Sequence, residues 1–101
     1  MAPRTDLQTF LETLLGSENV YFQPPANVQM VYPCIVYKKD DIDTEFADNH
    51  PYRLTQRYMV TVIDRNPDSA FPSQIAELPL CRFNRSYVAN NLNHDVFILY
   101  F

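Results

Sequence analysis

The sequence predicts an α+β domain of two layers, a mostly antiparallel sheet with two helices packed on it. Three observations lead there. Leu7, Phe10, Leu11, Leu14 and Leu15 recur at helical spacing near the start, which makes one apolar stripe that needs a sheet to lie against. Downstream, runs of alternating apolar and polar residues are separated by short breaks rich in Pro and Asn, which favours hairpins over long parallel crossovers. Between them, Tyr58-Met-Val-Thr-Val-Ile-Asp-Arg-Asn-Pro-Asp-Ser69 passes from strand to polar corner to helix start within a dozen residues. At 101 residues, the chain fits one domain with a single modest core. The predicted order is α-β-β-β-α-β-β.

The first helix has readable limits. Thr5-Asp6-Leu7-Gln8 has the form of a capping box, and Gly16 is placed to end the helix in a left-handed cap. Val20 to Phe22 reads as a short strand closed by Pro24-Pro25, and Cys34 to Lys39 as the next, opened by Pro33. Residues 40 to 51 read as a loop. Asp40, Asp41, Asp43, Glu45 and Asp48 are five of the twelve acids, and Phe46 is expected to be exposed among them.

Tyr52 to Asp64 is the longest predicted strand. Tyr52, Leu54, Gln56, Tyr58, Val60 and Val62 share one face, with Arg53, Thr55 and Arg57 on the other. Asn66-Pro67 breaks the strand, and Asp68 and Ser69 can cap a second helix running from Pro72 or Ser73 to Leu78. Ile75, Ala76 and Leu78 are expected to face inward. Arg82 to Ala89 and Asp95 to Phe101 form a hairpin around Asn90-Asn91-Leu92-Asn93-His94. With one Gly against eight Asn, turns of positive φ must rest on Asn.

Composition removes several function classes. Net charge is −4 and the only adjacent basic pair is Lys38-Lys39, so phosphate binding has no electrostatic footprint. No glycine-rich phosphate loop occurs. No apolar run approaches the ~20 residues of a membrane span, and the first residues lack a secretion signal, so synthesis in the cytosol is expected. Cys34 and Cys81 then read as reduced thiols.

Neither cysteine stands at zinc-ligand spacing from His50 or His94. The acidic stretch lacks the central Gly of an EF-hand, and Ser69 reads as a cap rather than a nucleophile. No catalytic, cofactor or metal site is expected. Seven Tyr and seven Phe suit a contact surface equally with a small core. Binding or assembly is the remaining class.

Four segments carry a family resemblance: Tyr32-Pro33-Cys34-Ile35-Val36-Tyr37-Lys38, Asp48-Asn49-His50-Pro51-Tyr52, Thr61-Val62-Ile63-Asp64-Arg65-Asn66-Pro67-Asp68-Ser69 and Asn90-Asn91-Leu92-Asn93-His94-Asp95-Val96-Phe97. Together they resemble small neck proteins of tailed bacteriophages, of the tail terminator or tail completion kind. The resemblance implies a small α+β protein of the virion, made in the host cytoplasm, that caps the tail tube as a ring, usually of six subunits. Its partners would be further copies of itself, the tail tube protein and the head-completion connector, with DNA passing through without specific binding.

A closed ring needs two different patches on each subunit. The candidates are Asp40, Asp41, Asp43, Glu45, Phe46 and Asp48 on one side, and Arg53, Arg57, Arg82 and Arg85 on the other. A head-closure adaptor of the same neck and a small cytosolic regulator that binds a host protein through the acidic stretch are the alternatives.

Overall fold

A computed structural model describes residues 4–25, 27, 29–47, 50–66 and 68–101, with 41–47 and 50–55 described by backbone alone. The elements are α1 (Arg4–Leu15), β1 (Val20–Phe22), β2 (Cys34–Ala47), β3 (His50–Asp64), α2 (Phe71–Ala76), β4 (Cys81–Ala89) and β5 (Leu92–Tyr100). The strands form one five-stranded sheet in the order β1-β2-β3-β5-β4. Among the described residues only the β1–β2 pair is parallel. The fold is α+β, in the predicted element order.

Both helices pack on one face of the sheet. Leu7, Leu11 and Leu15 of α1 and Ile75 of α2 join Val20, Ile35, Tyr37, Tyr58, Val60, Val62, Phe97 and Leu99 in a single buried cluster. Phe10 departs from its expected place in the stripe: it is 39 % exposed. It sits at the rim, beside an apolar groove with Leu78, Pro79, Leu80 and Tyr100. In α2, Ile75 is buried as expected and Leu78 packs partly on the core, but Ala76 is exposed and the helix stops there.

Local chemistry explains most element ends. Gly16 has φ +76° and its N–H donates to Glu12 O at 2.9 Å, the expected left-handed cap. The capping box does not form as read. Gln8 donates to Val20 O at 3.0 Å and accepts from the Tyr37 hydroxyl, because a buried phenol needs a partner more than an exposed helix end does. Ser69 does accept the Phe71 N–H, at 3.3 Å.

Asn90 and Asn91 have φ of 53° and 61°, the two positive values of a tight two-residue hairpin turn. β5 therefore begins at Leu92, and the expected five-residue loop is shorter by three.

The largest correction concerns residues 40 to 51. Residues 40–47 and 50–51 are strand, not loop: β2 continues to Ala47 and β3 begins at His50. The alternation Ile42-Asp43-Thr44-Glu45-Phe46 is a strand pattern that the density of acids concealed. β1 pairs with β2 only from Ile35 to Tyr37, and β5 pairs with β3 only from Arg57 onward. Beyond those points the hairpin runs on as a two-stranded arm of about 20 Å at the usual rise per residue. It accounts for the elongated outline, 51 × 24 × 23 Å.

Candidate functional site

The arm carries most of the candidate residues, and its register redistributes them. Asp41 pairs with Arg57, Asp43 with Thr55 and Glu45 with Arg53 across the β2–β3 ladder. Asp40 is the extra residue of a bulge between Lys39 and Asp41, and its Oδ2 lies 2.8 Å from Arg57 Nε. Acids and arginines expected on separate patches thus share one ribbon. The reason is register: opposite charges facing each other across a ladder favour that pairing over a slipped one. The side chains of Asp41, Asp43, Glu45, Phe46 and Arg53 lie outside the described part, as does Asp48 entirely.

Arg82 and Arg85 stand apart from the arm on β4, both exposed. Three residues of separation should place them on opposite faces of a regular strand. Asn84 prevents that. The ladder steps from Phe83↔Phe97 to Arg85↔Val96, so Asn84 has no partner, and Arg82 and Arg85 stand opposite Ile98 and Val96 on the same face. That is the face away from the helices. Arg57 and Met59 of β3 share it, and Asp40, Arg57, Met59, Arg82 and Ile98 line a shallow depression of about 410 Å³ there.

Among the described residues no helix covers this open face. Even so, Cys34, Ile63, Val96 and Ile98 on it are nearly inaccessible, while Arg82, Arg85 and Tyr87 remain exposed at its margin. The Arg85 guanidinium carbon lies 5.5 Å from the centre of the Tyr87 ring, and Tyr87 stacks on His94 at 4.6 Å.

β4 is also the free edge of the sheet. Residues 82–88 are all exposed, with Phe83 at 55 % and Val88 at 69 %. Sequence reasoning missed this edge. Phe83, Tyr87 and Val88 have no consistent period, because the bulge at Asn84 breaks the count.

The titrating groups give little reactive chemistry. Burial, and secondarily the charge of Asp64, pushes the Cys34 thiol up to about 11, and burial raises Cys81. Both are therefore protonated at neutral pH, which leaves no ready thiolate. Burial raises Asp95, partly offset by His94. Among the described residues no group of three or more His, Cys, Asp or Glu could hold a metal ion, and no helix is long and apolar enough to cross a membrane. No protein-family model matches this chain, and no curated protein sequence matches it.

Proposed function

We propose that this protein is a ring-forming component of the neck of a tailed bacteriophage, a tail terminator that caps the tail tube and meets the head connector. The observation that carries the reading is the arm. A two-stranded ribbon is marginal alone in water, and among the described residues no third strand of this chain pairs with it beyond Tyr37 and Arg57. It is suited to rest on another subunit.

The resemblance adds to this through its placement. Three of its segments meet at one end of the sheet, where Cys34 pairs with Ile63 and Asn93 Nδ2 donates to Asp64 O at 3.3 Å. The fourth includes His50 and Pro51, where β3 begins at the far end of the arm. The partners under this reading are further copies of the chain, the tail tube protein and the head-completion connector. No cofactor or catalytic step is required.

Electron microscopy of lysates from a phage deleted for this gene tests the proposal. Filled heads beside unattached, overlong tails are expected. Free tails of normal length beside leaking heads would assign the protein to head closure. Normal infectious particles would remove it from the neck and favour a regulator that binds a host protein.

A further inference from the structure

We propose that the free edge of β4 is extended, in the assembled protein, by the β2 arm strand of a second copy. The proposal rests on the ring reading and names its contact. Among the described residues both halves are open in the monomer. Among the described residues no strand pairs with the outer side of β4 (Cys81–Ala89). On β2, the outer side is paired only over Ile35–Tyr37 by β1, and one further position is closed where Lys39 N–H donates to Gln23 Oε1 at 3.2 Å. From Asp40 to Ala47 that side of the backbone carries no described partner.

Charge chooses between the two sides of the arm. β4 carries Arg82 and Arg85 and no acid, whereas Asp40 to Ala47 carries four acids and no base. The arm part of β3 offers Arg53 instead, and Pro51 there has no N–H to give to a ladder. The acidic strand is thus the one matched to β4. Within it, Asp41 and Glu45 already stand opposite arginines of their own hairpin, while Asp43 stands opposite Thr55. Asp43 is left as the acid with most to gain from a neighbour's arginine.

Bulges and arginines on an edge ordinarily blunt it against indiscriminate pairing. Here they exclude strands of like charge and admit one that carries carboxylates. The Asn84 bulge sets Arg82 and Arg85 on one face, so both can meet acids on the same side of an added strand. β4 runs opposite to β2 in direction. A neighbour brought up by rotation with strands roughly aligned therefore meets it antiparallel. Strand addition of this kind draws affinity from main-chain hydrogen bonds and register from side chains. Because the two surfaces differ, the contact is heterologous, the kind that generates a ring where the rotation between copies closes.

Two purified variants and their mixture provide the test. The β4 variant is Arg82→Glu with Arg85→Glu. The arm variant is Asp43→Lys and Glu45→Lys with Arg53→Glu, which keeps opposite signs across the hairpin at the Glu45–Arg53 pair. Circular dichroism checks that each is folded, and sedimentation is read against the 11.8 kDa monomer. The native chain is expected to assemble, and each variant alone to be monomeric at concentrations where the native chain is fully assembled.

An equimolar mixture is expected to assemble again, since each variant's altered strand then meets its opposite charge. A monomeric native chain, full assembly of either folded variant, or a mixture that stays monomeric would overturn the contact. The terminator reading is judged separately. If the gene encoding the β4 variant restores normal tail length to the deleted phage, this contact is wrong and the terminator role stands.

Discussion

Tyr37 and Gln8 tie the first helix to the centre of the sheet, the phenol donating its proton to Gln8 Oε1. The phenol oxygen in turn accepts from Arg4 Nη1 at 3.0 Å, and the Tyr37 ring packs against Phe22 and Tyr58. Removing the hydroxyl leaves Gln8 and Arg4 each short of a partner beside a fully buried ring. Tyr37→Phe is expected to cost about 1–2 kcal/mol, a fall in Tm of roughly 5–10 °C for a chain of this size. A second change, Gln8→Leu, should cost less in the Tyr37→Phe background than alone, which a double-mutant cycle by thermal melting measures. Equal losses in both backgrounds would show that the two residues do not interact.

Alkaline pH should weaken the fold in a defined window. The Cys34 thiol is raised from an ordinary 9.0 to about 11 by burial, with Asp64 adding to it. Tyr37 and Tyr58 are raised above 10.0, burial being the larger cause for each. A group that holds its proton more tightly when folded contributes stability in full below its unfolded pKa. It loses that contribution as pH rises through the folded value. Unfolding free energy by urea titration should therefore change little from these groups below pH ~9, fall from about 9 to 11 through the thiol, and fall further above 10 as the two phenols begin to titrate. Cys34→Ala should flatten the part of the slope due to the thiol, although it lowers stability at every pH.

The two thiols should differ in reactivity. Cys34 is wholly inaccessible and Cys81 only partly buried. Alkylation at pH 8 followed by mass spectrometry is expected to label Cys81 several-fold faster. Equal rates would mean that the start of β2 opens as readily as the sheet edge.

The arm should be dispensable for folding. Replacing residues 43–55 with Asn-Gly closes β2 and β3 beside the Ile42↔Gln56 pair with a favoured two-residue turn. The shortened chain is expected to keep its melting temperature within a few degrees and to sediment as a monomer. Loss of cooperative melting would instead make the arm part of the folding unit.

Leu80 holds φ +60° at 64 % exposure, a left-handed conformation that suits Asn far better than Leu. Leu80→Asn should stabilise by about 1 kcal/mol, read as a rise in Tm. A fall would mean that its contacts in the groove beside Phe10 outweigh the backbone cost.

Legibility in the sequence followed the physics of each element. The α1 stripe, the Gly16 cap and the alternation of Tyr58, Val60 and Val62 were readable because each depends on spacing alone. The Asn90-Asn91 turn was readable in kind but not in length, since either a tight or a wide connection fits the same residues. Residues 40–51 read as a loop because acids usually mark solvent-exposed loops, and that density hides the alternation of 42–46 and the arginines, Arg53 and Arg57, that stand across the ladder from Glu45 and Asp41. The open edge of β4 was invisible. Its facing depends on one unpaired residue, and no local pattern announces a bulge inside a strand.

That unpaired residue has a consequence for how the chain tolerates change in length. Without Asn84, Arg82 would still face Ile98, Phe83 would still face Phe97 and Arg85 would still face Val96, now in unbroken succession. Losing a residue there moves no side chain to the other surface, whereas a loss elsewhere in the strand would turn part of it over. What would go is the kink. The margin would straighten into a more regular template, more open to whichever strand arrives first. Asn84 thus acts less as a spacer than as a gatekeeper, keeping the border selective while leaving the interior pattern untouched.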